Sequence, residues 1–266
     1  MDVELALALE LANLADAVTL PRFRAADLVV ESKPDLTPVS EADRAVELAI
    51  RERVARVRPG HVVVGEEFGD PGGEAPRWIV DPIDGTKNYV RGIPVWASLI
   101  ALEEDGEVRC GVVSAPALGR RWWAARGEGA WAADRRGDGW AEASRLQVSA
   151  VSRLEDAQLF HTSFNRMSPR ELTGFLALAE GAARIRGFGD FWSHVLVAEG
   201  AGEIGHEPAG VSVWDLAPLI VILEEAGGRF TDHRGRRTVR GGDAISSNGL
   251  LHEAALAALA GEAAPA

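Results

Sequence analysis

The 266-residue chain has a single cysteine, Cys110, which excludes an internal disulfide framework and any Cys-rich zinc site. It also lacks any run of more than two consecutive lysines or arginines, and its formal net charge is −12. Nucleic acid and anionic membrane are therefore excluded as main partners. An acidic protein that binds phosphate needs a local device to offset that field, and a divalent cation is the obvious one. No apolar run approaches the length, about 18 to 20 residues, that crosses a bilayer. The opening Met1-Asp2-Val3-Glu4 lacks the basic region of a signal peptide, so a cytoplasmic location is expected. What is present is globular composition: 47% hydrophobic and 26% charged residues, with chain enough for a substantial core.

Periodicity divides the chain into elements. Leu7, Leu11, Leu14 and Val18 share one helical face, which Pro21 ends or kinks. After the polar stretch Glu31-Ser32-Lys33-Pro34-Asp35, a second helix is expected from Ser40. Val46, Ile50, Val54 and Val57 form its apolar stripe, and Pro59-Gly60 closes it. Short strands follow at Val62-Val63-Val64 and Trp78-Ile79-Val80, then two longer ones around Asp105-Gly106 and pieces at Trp122-Trp123 and Ala130-Trp131. The first half thus mixes helices with a largely antiparallel sheet. Beyond residue 150 the pattern alternates, with strands at Leu159-Phe160, 184–187, 203–207 and 244–246. Helices are expected at 169–181, 190–200, 215–226 and the C-terminus. The expected fold is α+β, alternating helix and sheet layers within one unit over residues 1–266.

Chemistry concentrates in Trp78-Ile79-Val80-Asp81-Pro82-Ile83-Asp84-Gly85-Thr86. Asp81 sits where a strand is expected to end, and Pro82 stiffens a turn that brings Asp84 beside it. Two such carboxylates bridge hard cations, which favour oxygen ligands. Gly85 and Thr86 open a helical turn whose N–H groups suit a phosphate oxygen. A plain Asp-Pro/Asp-Gly turn explains the same residues. Gly65-Glu66-Glu67 stands at another strand end, as ligands or as a solvated loop. Asp215 opens the 215–226 helix, as a ligand or simply an N-cap. Ser40-Glu41-Ala42-Asp43 reads as a capping box with Asp43 at the third position.

Other chemistries lack their residues. A cysteine-phosphatase loop needs Arg six positions after Cys110, where Pro116 stands. No Asp-x-Asp motif suits an aspartyl-phosphate hydrolase, and no Gly-x-Ser-x-Gly elbow or Gly-x4-Gly-Lys-Ser/Thr loop occurs. The six histidines show no His-x3-His spacing, and most are expected to be surface or structural.

In their joint order, Gly-Glu-Glu, Asp-Pro-Ile-Asp-Gly-Thr-Lys-Asn-Tyr and Trp-Asp before a helix ending in Gly-Gly, these segments resemble the inositol-monophosphatase family of metal-dependent phosphatases. The resemblance spans essentially the whole chain and implies an αβαβα sandwich. It implies a metal and phosphate lobe over 1–150 and a substrate-recognition lobe over 151–266. By resemblance, Glu66, Asp81 and the Ile83 carbonyl hold one Mg²⁺, while Asp81, Asp84 and Asp215 hold a second, with two or three ions per site. Phosphate would accept N–H bonds from Gly85 and Thr86, with Asp84 and Asp215 also facing the substrate. Thr86 and Asp43, aided by Glu66, would orient the attacking water. A homodimer acting on a small phosphorylated metabolite is implied as well.

The stretch Arg184-Ile185-Arg186-Gly187-Phe188-Gly189-Asp190-Phe191-Trp192-Ser193-His194 departs from generic inositol phosphatases and looks like the histidinol-phosphatase branch. Its substrate carries an ammonium and an imidazole, so the pocket wants a carboxylate. Asp190 and Glu207 are the acids available, with Arg184 or Arg186 near the phosphate or at an inter-subunit edge. Asp190 as a helix cap, Phe188 and Trp192 as core aromatics, and Lys33 as a site or loop lysine stay open. Inositol phosphate, a sugar bisphosphate and a nucleotide 3′-phosphate remain alternative substrates, and a non-catalytic binding protein is the alternative role.

Overall fold

The computed structural model describes residues 2–32, 38–137 and 139–261. Helix α1 (Val3–Arg22) leads through the antiparallel pair β1 (Val30–Ser32) and β2 (Pro38–Ser40) into α2 (Glu41–Val57). Next come β3 (Val62–Gly65), β4 (Arg77–Asp84) and the five-residue helix α3 (Thr86–Val90). The chain then meanders through β5 (Ala97–Glu104), β6 (Glu107–Ala115), β7 (Arg120–Ala125) and β8 (Gly129–Arg136), with two-residue strands β9 (Gly139–Trp140) and β10 (Ser144–Arg145) beyond. The second half alternates. It comprises β11 (Gln158–His161), α4 (Pro169–Gly181), β12 (Arg184–Arg186), α5 (Asp190–Ala198) and β13 (Ile204–Glu207). It ends with α6 (Val213–Glu225), β14 (Arg229–Thr231), β15 (Ala244–Ser247) and α7 (His252–Ala260).

Five layers result. Leu11, Val46 and Ile50 from α1 and α2 pack on one face of the larger sheet through Trp78, Val80 and Ile100. Ile79, Leu99 and Val113 on its other face meet Val195 of α5 and Leu216, Ile220 and Leu223 of α6. Leu159, Ile204 and Ile245 of the second sheet pack against α4 and α7 through Phe175, Leu178 and Ala255. The central cluster draws on both halves of the chain, burying apolar area that neither half could bury alone. This is the layered α+β sandwich expected. The larger sheet runs β10-β8-β7-β6-β5-β4-β3 and is antiparallel except for the parallel β3–β4 pair. The smaller runs β12-β11-β13-β15-β14.

Sequence and structure part at several places. Strand β4 does not end at Asp81 but continues to Asp84, because pairing with β5 resumes after an irregularity. Helix α6 begins two residues earlier than expected, capped by Ser212, so Asp215 is the third helical residue and not the N-cap. Asp190 does not cap α5 either. Gly189 does, and Asp190 adopts a left-handed φ of 50°. Of the six histidines, expected to be mostly surface or structural, His161, His194, His206 and His252 are buried.

Candidate active site

Three of the site's acids arrive on two elements whose shape brings them together. In a regular strand, positions i and i+3 face opposite sides. Here Asp81 pairs with Leu99 and Asp84 with Ala97, so two β4 residues oppose the single Ser98. That one-residue bulge places Asp81 and Asp84 on the same side of the sheet. Pro82 suits the bulge because it has no ladder N–H to satisfy, and its carbonyl accepts from Ser98 Oγ at 2.6 Å. Asp215 comes from α6, which crosses β6 at Gly111. A Cβ there would stand 2.7 Å from Pro218 Cα, so the helix approaches this closely only over glycine. One carboxylate oxygen from each of Asp81, Asp84 and Asp215 lies within 4.8 Å of the others.

Each acid is fixed by a backbone amide. Asp81 Oδ1 accepts from Ile83 N–H at 3.0 Å and Asp84 Oδ2 from Phe191 N–H at 2.8 Å. Asp215 Oδ2 accepts from Ser212 N–H at 2.7 Å, in the capping box of α6. Asp43 Oδ2 accepts from Ser40 N–H at 2.8 Å and Ser40 Oγ at 2.6 Å, the capping box expected for α2. Thr86 Oγ1 lies 2.9 Å from the Ile83 carbonyl and 3.4 Å from Asp43 Oδ1. Thr86 Oγ1 thus links α3 to Asp43 on α2.

Electrostatics favour a cation among these acids. Burial, then the charges of Glu66, Asp84, Asp215 and Asp43, push Asp81 well above the carboxylate range. Burial and Asp190 do the same to Asp84. Asp215 is raised to about 6 by burial, and Asp43 to about 6 by the same cause. Clustered oxygen donors that repel one another, each held in place, suit a hard cation such as Mg²⁺. The donor set fits the metal the sequence implied.

Asp81, Asp84 and Asp215 line a cavity of about 770 Å³ to which both halves of the chain contribute. Glu66, Ile83, Gly85, Thr86, Asp190 and Glu207 all border it. Gly85 has φ 81°, and a Cβ on it would meet the Val95 carbonyl at 3.1 Å and Asp190 Oδ2 at 3.5 Å. Asp190 is thus beside the Gly85-Thr86 turn. Its carboxyl is raised by burial, with Lys87 opposing. Arg184 and Arg186 are not brought to the cavity: they lie exposed on β12, the edge strand of the smaller sheet, where Arg186 Nη1 donates to the Ile185 carbonyl. A three-residue edge strand carries both side chains out to solvent. Lys33 lies outside the described residues. Among the described lining residues Lys87 is the one Lys or Arg, and sequence reasoning passed over it although it follows Thr86 directly. His161 and His194 border the cavity as well.

A layered α+β scaffold presenting clustered carboxylates to a large polar cavity defines a metal-dependent phosphomonoesterase. Comparison with known proteins agrees: residues 1–264 match the model of the inositol monophosphatase family, and the chain belongs to that family, which is Mg²⁺-dependent. A Mycobacterium tuberculosis protein named histidinol-phosphatase is 54% identical over 258 residues, 96% of this chain and 97% of that one. A Streptomyces coelicolor protein of the same name is 50% identical over 255 residues, 94% of each. Among solved structures, the IMPase of Thermotoga maritima has a TM-score of 0.82 at 28% identity, covering 96% of both chains.

Proposed function

We propose that this chain hydrolyses L-histidinol phosphate to L-histidinol and inorganic phosphate, a step of histidine biosynthesis. The observation that carries the reading is the pair of acids, Asp190 and Glu207, on the wall of the same cavity as the Asp81–Asp84–Asp215 cluster. A wall of that charge favours a cationic alcohol over a neutral polyol. The names of the two bacterial relatives, similar over nearly the whole chain, support the same substrate.

In this reading Glu66, Asp81 and the Ile83 carbonyl would hold one Mg²⁺, and Asp81, Asp84 and Asp215 another, with two or three ions per site. The ions, when bound, lower the pKa of water and offset charge on the phosphoryl oxygens and the leaving alkoxide. The chain's own groups do the rest. Amides of Gly85 and Thr86, at the start of α3, receive the phosphate. The Thr86 hydroxyl holds the attacking water in line, with Glu66 assisting, and Asp43 behind Thr86 takes up its proton. A carboxyl raised to about 6 is matched to that task near neutral pH. Water forms the new P–O bond as the ester bond breaks, and the leaving alkoxide takes a proton from solvent, to which Asp43 returns its own, and departs as histidinol. Residues 1–150 supply the metal and phosphate lobe and 151–266 the substrate lobe. A cytoplasmic homodimer belongs to the reading, with Arg184 and Arg186 on a strand edge open to a partner. Among the described residues no helix is long and apolar enough to cross a membrane.

A phosphate-release panel tests this. Histidinol phosphate, inositol phosphate, a sugar bisphosphate and a nucleotide 3′-phosphate should be assayed with Mg²⁺ and with excess chelator. Mg²⁺-dependent release, fastest from histidinol phosphate, is expected. Full activity in chelator would remove the metal mechanism, and equal rates across the panel would remove the substrate assignment.

A further inference from the structure

Gly65 has no conformational reason to be glycine, since its φ is not positive. The reason is steric. A Cβ at Gly65 would sit 2.2 Å from Glu47 Oε1 and 2.4 Å from Oε2. Glu47 projects from α2 one turn beyond Asp43 and is 0% exposed. Its carboxylate lies directly beneath the Gly65-Glu66-Glu67 segment and holds it. Oε2 accepts from Glu67 N–H at 2.8 Å, and Oε1 from Phe68 N–H at 3.2 Å. Arg51, one further turn along α2, donates to Oε1 from Nε at 3.0 Å and from Nη2 at 2.7 Å. Arg51 Nη2 also reaches the Gly69 carbonyl at 3.0 Å, and its guanidinium lies over the Phe68 ring at 5.7 Å. The loop is closed on itself by the Gly65–Gly69 backbone pair.

We propose that Glu47 is a positioning residue: it fixes the loop that carries Glu66 and thereby sets the affinity of the site for divalent cation. The proposal rests on the reading of Glu66 as a metal ligand. Two backbone amides and a guanidinium converge on one side chain, all of them donors. Only an acceptor on both oxygens satisfies them, so glutamine in the same volume would turn an NH₂ against a donor. The chain has placed two buried acids on one face of α2, Asp43 toward Thr86 and Glu47 toward the Glu66 loop. One helix therefore orders two walls of the site.

The test is calorimetric titration of metal-free protein with Mg²⁺, alongside the Mg²⁺ dependence of phosphate release. Glu47→Gln should weaken Mg²⁺ binding by about tenfold, and Gly65→Ala, which pushes the carboxylate from the other side, should do the same. Their combination should be little worse than either alone, since both break one clamp. At saturating Mg²⁺, kcat should stay within about threefold of wild type. Val54→Ala, a core truncation on the same helix, should lower Tm and leave Mg²⁺ affinity intact. Arg51→Met, at a partly exposed position, carries the test should both clamp variants fail to fold, and it too should weaken Mg²⁺ binding. Unchanged affinity in the clamp variants, or equal weakening by Val54→Ala, overturns the proposal. Glu66→Gln is the reference: if it leaves Mg²⁺ binding unchanged, the ligand reading beneath the proposal fails instead.

Discussion

Asp43 makes two contacts whose proposed roles separate cleanly by experiment. One oxygen closes the capping box with Ser40, and the other lies 3.4 Å from the Thr86 hydroxyl. An asparagine keeps an acceptor for the Ser40 amide but cannot take up a proton from water. Asp43→Asn is therefore expected to lower kcat by about a hundredfold with KM nearly unchanged and Tm close to wild type. Thr86→Ala should have a similar effect, and the double variant should be no worse than the lower single, because the pair acts as a unit. Steady-state kinetics with thermal unfolding checks this, and an Asp43→Asn enzyme with full kcat and a lowered Tm would reduce Asp43 to a cap. The sequence made Asp43, Thr86, Asp81, Asp84 and Asp215 legible because each belongs to a short motif with turn or cap chemistry. It hid Glu47 and Lys87. Glu47 borders an apolar stripe and has no motif of its own, and its role appears only when β3 and α2 meet.

At the scale of elements, most boundaries were readable from period changes and from Gly and Pro punctuation, as at Pro59-Gly60 and Gly227-Gly228. The bulge in β4 was not. Asp-Pro-Ile-Asp reads as a turn, and only pairing with β5 shows that the strand continues and rotates Asp84 onto Asp81's side. The crossing of α6 over Gly111 was equally hidden, being a contact between distant segments. Gly111→Ala should force that helix away from the sheet, costing about 1 to 3 kcal/mol of stability and weakening Mg²⁺ binding through displaced Asp215. Denaturant unfolding with Mg²⁺ titration measures both, and an unperturbed metal affinity would show that the crossing does not set Asp215. Helix α7 offers a pH test. His252 is fully buried, with Nδ1 2.8 Å from Ser247 Oγ and Nε2 2.9 Å from Thr231 Oγ1. Burial holds its pKa down at about 4, against 6.5 for an unperturbed histidine. Between those values the unfolded chain binds the extra proton, so stability is complete above pH 6.5 and falls as pH drops toward 4. His252→Gln should lose less stability over that window than wild type in denaturant titrations, and an equal loss would place the effect elsewhere.

Over the whole molecule, the site exists only because two sheets and the helices between them pack as one body. Asp81 and Asp84 come from the larger sheet, Asp215 and Asp190 from the helices it packs against, and Glu207 from the end of a strand in the smaller. The net charge of −12 fits this organisation, since an acidic cavity receives a phosphate ester only with cations in place and then favours an ester whose alcohol portion is cationic. Composition and motif order conveyed that much without coordinates. They left Arg184 and Arg186 open between the phosphate and an inter-subunit edge, because the distance between an edge strand and a cavity is not written in local sequence. The measurement that bears most directly on the account is the ratio of kcat/KM for histidinol phosphate to that for inositol monophosphate, on the wild-type enzyme with saturating Mg²⁺. A charge-assisted contact is worth about 1.5 to 3 kcal/mol, so the ratio should be at least about tenfold in favour of histidinol phosphate. A ratio of one, or a preference for inositol monophosphate, would contradict the account.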